Sequence, residues 1–115
     1  MVTINYYKNK LSIFDLSFNL REYIPDNYFT DTIDFSAEIR FYIDLFNKNN
    51  ILKDSGTIQI WSICYKCVYD EIPFQMIYDE DYGFVHFYVE IPEDKVKVAK
   101  ALKNFVEATK HHLLG

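Results

Sequence analysis

The fold class is decided by residues 84–113, FVHFYVEIPEDKVKVAKALKNFVEATKHHL, where an alternating pattern gives way to a helical one. In the first eight of these residues every second side chain is apolar, which is the period of a strand with one buried and one hydrated face. The buried face would carry Val85, Phe87, Val89 and Ile91. The hydrated face would carry Phe84, His86, Tyr88 and Glu90. This segment therefore predicts a strand that shows polar and aromatic groups to solvent.

An amphipathic helix is expected directly after this strand. Pro92 is a residue favoured at the first helical position, and Glu93 and Asp94 suit the positive end of a helix dipole. The side chains that recur at helical spacing are Val96, Ala99, Leu102, Phe105, Val106, Thr109 and Leu113. Lysines lie mainly on the opposite side. This pattern predicts a helix that packs its apolar stripe on one face of a sheet.

Strands are also expected at residues 2–7, 14–21, 57–69 and 74–78. The third of these is apolar at nearly every position from 58 to 64, which indicates a central strand covered on both faces. The predicted fold class is α+β, with a curved antiparallel β-sheet of about five or six strands and the C-terminal α-helix on one face. A length of 115 residues allows one domain, residues 1–115.

Residues 33–45, IDFSAEIRFYIDL, alternate between apolar and other side chains at every position. This favours a long strand whose hydrated face includes Asp34, Glu38, Tyr42 and Asp44. A helix over residues 34–49 stays open as the alternative, because several of the apolar residues also fit one helical stripe, although that arrangement leaves Phe41 on the hydrated side. We expect the strand here, curved or bulged because of its length.

The negative charge is concentrated in the middle of the chain. The formal net charge is −5, and residues 22–91 contain thirteen acidic side chains against four basic ones. Such a field repels phosphates, so direct nucleic-acid binding is not expected, and it favours a basic protein partner. The apolar runs are too short to cross a bilayer and the N-terminus has no secretory signal, so a soluble protein in the cytoplasm is expected.

Two cysteines, Cys64 and Cys67, have the spacing of a redox pair or of half a zinc site. A redox pair usually begins a helix, and a structural zinc needs two more ligands. In an unbroken strand this spacing places the two sulfurs on opposite faces. We expect two reduced structural cysteines, with no metal and no cofactor.

His86 is the residue best placed for acid or base chemistry, because Glu90 follows on the same expected face and a carboxylate raises the pKa of a nearby imidazole. No motif places a serine or cysteine nucleophile beside it. The sequence therefore predicts a protein that is not an enzyme.

The remaining candidate site is a collective one that combines carboxylates with aromatic rings. Tyrosines supply contact area at low entropic cost, and carboxylates speed encounter with a basic partner. The expected partner-binding residues are Asp34, Glu38, Tyr42, Asp44, Tyr78, Asp79, Glu80, Asp81, Tyr82, Phe84, His86, Tyr88 and Glu90. The alternative is that these acids form an ordinary solvated face.

In general character the chain resembles the small acidic immunity proteins of bacterial toxin systems, including contact-dependent growth inhibition systems. The features that carry this resemblance are one short α+β domain, many Asp and Tyr residues, an AT-rich coding bias and the absence of an enzyme motif. The resemblance implies a one-to-one complex in which an acidic face covers the basic active site of a toxin, expected to be a nuclease. The protein itself would be a monomer or a weak homodimer.

Two other classes of function stay open. A phage-type acidic inhibitor that mimics nucleic acid would use the same surface chemistry. A small ligand-binding or enzymatic domain would instead need a pocket that contains His86 or the cysteines.

Overall fold

The computed structural model describes residues 1–29 and 37–114, which form an α+β fold around one antiparallel sheet. Its six strands are β1 (Thr3–Tyr7), β2 (Lys10–Ser17), β3 (Thr57–Ile58), β4 (Ser62–Tyr69), β5 (Ile72–Asp79) and β6 (Phe84–Val89). Their order across the curved sheet is β1-β2-β6-β5-β4-β3. The predicted fold class is confirmed.

The sheet joins an N-terminal hairpin to a C-terminal meander. Strands β4, β5 and β6 follow one another in the chain and pair in that order. The hairpin of β1 and β2 attaches through β6, where Phe14 lies opposite Phe87. These two rings stack with centroids 5.1 Å apart, so aromatic packing stabilises the junction between the hairpin and the meander.

In the described ranges the sheet is accompanied by three helices: α1 (Leu20–Tyr23), α2 (Ala37–Lys48) and α3 (Lys95–Leu114). Short 3-10 turns span Asp26–Tyr28 and Pro92–Asp94. The C-terminal helix is confirmed, with Pro92 at its entry as the sequence indicates. No helix in the described part of the chain is long and apolar enough to span a membrane.

The core lies between the long helices and one face of the sheet. From α3, the fully buried side chains are Val98, Ala99, Leu102 and Val106. From α2, Tyr42 and Phe46 pack against the ring of Phe87 at centroid distances of 5.4 and 6.0 Å. No helix of the described residues covers the opposite face of the sheet, which we call the open face.

The strand expected over residues 33–45 is wrong where the structure describes it, because residues 37–48 form α2. The apolar residues satisfy a helical stripe as well as an alternation, and only the helix places Ile39 on the same buried side as Tyr42 and Phe46. Phe41, which argued against a helix, is covered by the ring of Tyr28 at 6.0 Å. Asp34 and its neighbours at 33–36 lie outside the described residues.

The single central strand expected over residues 57–69 is also wrong. The chain forms the two-residue edge strand β3, turns at residues 59–61 and continues as β4. The turn is closed by Gln59, whose N–H donates to the carbonyl of Ser62 over 2.7 Å. The apolar run is therefore exposed at the sheet edge, with 79% of the Ile58 surface open to solvent.

The strand expected over 14–21 also ends early, at Ser17. The side chain of Asn19 accepts a hydrogen bond from the N–H of Arg21 and so caps α1. Residues 18–21 therefore do not continue the strand, although they alternate, because Asn19 starts a helix.

Candidate functional site

Two turns lie side by side at one end of the sheet and form the candidate site. The β3–β4 turn carries Ile60 and Trp61, and the β5–β6 turn carries Glu80, Asp81 and Tyr82. We call these five residues the tip surface. The turns are adjacent because Ser62 pairs with Asp79, and the N–H of Glu80 donates to the carbonyl of Trp61 over 3.4 Å.

The apolar part of the tip surface is unusually exposed. Solvent reaches 87% of Ile60, 68% of Trp61 and 81% of Tyr82. Single exposed apolar residues are ordinary, but a neighbouring group of large ones is typical of an interaction site. Trp and Tyr are also the residues most enriched at the energetic centres of protein interfaces.

The β5–β6 turn is built by the side chain of Asp79. Its Oδ1 accepts hydrogen bonds from the N–H groups of Asp81 and Tyr82, at 3.0 and 3.3 Å. Gly83 then adopts a positive φ of 65°, a conformation that glycine allows without strain. Asp79 therefore shapes the turn, while Glu80, Asp81 and Tyr82 stay exposed to solvent.

The two exposed carboxylates of the tip surface are not neutralised within the described residues. The ion pairs of this part of the chain lie elsewhere, between Lys97 and Asp70 and between Lys110 and Glu22. Glu80 and Asp81 are thus available to pair with cations of another molecule. Burial raises the pKa of Tyr65, and the nearby charge of Glu80 adds to this effect.

The side chains of Phe84, His86, Tyr88 and Glu90, which we call the β6 row, lie on the open face as the alternation predicts. His86 and Tyr88 are half-buried there, while Phe84 and Glu90 are exposed. The rings of Phe84 and His86 lie 5.9 Å apart. This row continues the tip surface along the open face, since Phe84 pairs with Asp79 at the turn.

His86 lines a shallow depression of about 230 Å³ together with Tyr7, Lys10, Ile13 and Phe84. Burial lowers the pKa of His86, against an opposing effect of Asp15. Its Nδ1 is buried and has no hydrogen-bond partner in the described structure. Among the described residues, the side chains that line this depression include no serine or cysteine.

The predicted residues on α2 do not join the site. Tyr42 is buried in the core, and its ring contacts Phe87. Glu38 is half-buried, and burial, with a contribution from Asp15, raises its pKa to about 7. Asp44 lies on another side of the helix, where it accepts a hydrogen bond from the hydroxyl of Tyr28 at 2.6 Å. The acidic row expected from the alternation is therefore wrong for these three residues.

The prediction that Tyr78 lies on the exposed partner-binding surface is also wrong. Its side chain faces the core, and it pairs with Ile63 and Val85 in the sheet. The structure thus brings together Asp79, Glu80, Asp81 and Tyr82, followed by the β6 row. Asp34 lies outside the described residues.

Ile60 and Trp61 were missed by the sequence interpretation, which placed them in a buried strand. A signal was present in the length of the segment, because thirteen residues exceed the usual strand of five or six. Gln59 and Ser62 are the polar residues at which the run could turn.

The cysteines occupy opposite faces, as the spacing predicts. Cys67 is buried in the core and pairs with Phe74. Cys64 lies on the open face, where its thiol donates to Oε1 of Gln75 at 3.1 Å. Burial raises the pKa of both thiols, for Cys67 to about 12. Neither is therefore activated as a thiolate near neutral pH.

A scan of protein-family models, a search of curated proteins and a search of solved structures each found no match to this chain.

Proposed function

We propose that this protein is an immunity protein that binds and neutralises a basic protein toxin through the tip surface. One observation carries the proposal: Trp61 and Tyr82, each more than two-thirds exposed, lie beside Glu80 and Asp81, whose carboxylates have no ion-pair partner in the described structure. Large rings next to free carboxylates supply both parts of an interface for a cationic protein surface.

The tip surface provides anchors rather than a whole interface. A stable complex buries about 800 Å² on each partner, whereas a Trp or Tyr side chain contributes about 150–250 Å². The β6 row supplies additional area next to the tip, beginning at Phe84. A partner centred on the tip would therefore extend over Phe84 and His86.

The class of partner follows from charge. An acidic tip on a protein of net charge −5 attracts a basic surface and repels nucleic acid. A nuclease toxin has such a surface, because its active site must attract phosphates. In this proposal the protein acts in the cytoplasm, where Glu80 and Asp81 occupy positions that substrate phosphates would take.

Coexpression with the product of the adjacent open reading frame tests the proposal. We expect that product to arrest growth when expressed alone, and this chain to restore growth and to co-purify with it in equal amounts. Rescue should be lost in the Trp61→Ala, Tyr82→Ala double variant. An adjacent product that is harmless, or that forms no complex with this chain, would overturn the proposal.

Leu11→Ala is the matched control. Leu11 is also a large, exposed apolar residue, but it lies on β2 beyond the pairing of Ile13 with Tyr88, at the end of the sheet remote from the tip. This variant should rescue growth as well as the unaltered protein does. Equal loss of rescue in both variants would show that the tip surface is not the binding site.

A further inference from the structure

Two lysines lie directly opposite each other on the open face, near the middle of β4 and apart from the tip surface. Leu52 forms a bridge with Cys67, and the N–H of Lys53 donates to the carbonyl of Lys66 over 2.9 Å. Since Leu52 and Cys67 pack into the core, the next residue of this pairing, Lys53 with Lys66, faces outward. Like charges in directly opposite positions destabilise a sheet unless something neutralises them.

Neither ammonium group has an acidic partner in the described part of the chain. Lys53 Nζ donates, within the described residues, to two neutral oxygens of Asn50, the carbonyl at 2.8 Å and Oδ1 at 3.2 Å. Lys66 forms no ion pair there. The carboxylate of Asp54 is engaged by main-chain groups, with Oδ1 accepting from the N–H of Lys66 and of Gly56 at 3.0 and 3.1 Å. Two lysines whose ammonium groups have no carboxylate partner in the described residues therefore line one groove, in a chain of net charge −5.

The two lysines border a groove of about 490 Å³, a size typical of small-molecule sites. Pro73, Gln75 and Tyr88 line it. Gln75 lies between Lys66 and Tyr88 in the sheet register, so amine, amide and phenol groups follow one another across three strands. Because Oε1 of Gln75 accepts from Cys64, its NH₂ group is the part left to donate into the groove.

We propose that this groove binds a small organic anion in which one carboxylate or phosphate group is attached to an aromatic ring. The anionic group would lie between Lys53 and Lys66 and accept a hydrogen bond from Gln75. The ring would lie against Tyr88 and Pro73. Glu90, which also lines the groove, opposes additional negative charge and limits the ligand to a single anionic group.

Titration of the isotope-labelled protein with benzoate, phenyl phosphate and the neutral analogue benzamide tests this site. We expect both anions, but not benzamide, to shift the amide resonances of Lys53, Lys66, Gln75 and Tyr88 at millimolar concentration. The tighter of the two anions identifies the ligand as a carboxylate or a phosphate. Failure of both anions to shift these resonances, or equal shifts with benzamide, would overturn the proposal.

Three variants separate this site from general charge attraction. Lys66→Met keeps the aliphatic stem and removes the charge, so the dissociation constant of the better anion should rise about tenfold. Glu90→Gln should lower that constant. Lys100→Met removes an exposed charge from α3 and should leave it unchanged. An equal effect of Lys66→Met and Lys100→Met would show that no specific site exists.

This inference does not depend on a toxin partner. The titration uses the protein alone, and no residue of the tip surface takes part in it. The absence of a toxin complex would leave the expected result of the titration unaltered.

Discussion

The ring of Tyr42 in α2 stands edge-on to the ring of Phe87 in β6, with centroids 5.4 Å apart and planes at 90°. Tyr42 is only 1% exposed, and its hydroxyl is buried without a hydrogen-bond partner in the described structure. This contact packs α2 against the centre of the sheet, but it leaves the Tyr42 hydroxyl without a hydrogen bond in the described structure. Burial of an unpaired hydroxyl is unfavourable.

We expect Tyr42→Phe to stabilise the protein by about 1 kcal/mol, since the ring contacts remain and the unpaired hydroxyl is removed. Tyr42→Ala, in contrast, should destabilise it by about 3–5 kcal/mol, because the ring is fully enclosed. Urea unfolding followed by circular dichroism measures both changes. A loss of stability in Tyr42→Phe would show that the hydroxyl has a partner.

Glu38 should make the stability depend on pH. Burial is the largest cause that raises its pKa to about 7, and Asp15 contributes. The folded protein therefore holds a proton that the unfolded chain releases above its ordinary pKa of 4.5. The stabilising contribution is complete below about pH 4.5 and is lost as the pH rises through 7.

Glu38→Gln isolates this effect, because glutamine resembles the protonated acid at every pH. Relative to the variant, the unaltered protein should lose up to about 3 kcal/mol of stability between pH 5 and pH 8. Asp15→Asn should lower the pKa of Glu38 and shrink the difference. Parallel stability curves for the unaltered protein and Glu38→Gln would contradict this account.

Gly56, which directly precedes β3, is a position that only glycine fills without strain. Its φ is +96°, and a Cβ atom at this position would lie 2.7 Å from Cε1 of Tyr65. Gly56→Ala should therefore destabilise the protein by about 1–3 kcal/mol, with the loss centred on β3. Hydrogen exchange would locate it at Ile58 and Lys66 rather than in α3. Ser55→Ala, one residue earlier and exposed, is the control and should have little effect.

The fold class was predictable from sequence because the last third of the chain has only one consistent interpretation. The alternation of residues 84–91 and the helical spacing after Pro92 do not compete with each other. The segment at 37–48 is different, because its apolar residues fit both periods. Tertiary packing decides between them: Tyr42 and Phe46 pack on Phe87, and burial of Ile39 on the same side requires a helix.

Only part of the tip surface could be predicted from the sequence. The acidic turn at residues 79–82 is visible in the sequence, as is the exposed row on β6. The adjacency of Trp61 to that turn depends on the register of β4 with β5, in which Ser62 pairs with Asp79. That register is set by the two-residue hairpin turn at Asp70 and Glu71, both of which have a positive φ. The turn lacks the Asn-Gly or Asp-Gly sequence typical of such hairpins, so the register had to come from the structure.

The proposed complex should respond to salt in a way that separates its charged and apolar parts. Glu80 and Asp81 lie on exposed turns, where they attract a basic partner before contact, and such steering weakens as ionic strength rises. We therefore expect Glu80→Gln with Asp81→Asn to slow association about tenfold at low salt and to leave dissociation nearly unchanged. Trp61→Ala should instead accelerate dissociation, because its ring is an anchor of the bound state. Surface plasmon resonance against the immobilised toxin measures both rates.

Asp70→Asn is the matched control, since this exposed acid is already paired with Lys97, and its association rate should stay close to that of the unaltered protein. If removal of the two turn carboxylates left the association rate and its salt dependence unchanged, the acidic part of the tip surface would have no role in recognition, and the partner would not be selected by its positive charge.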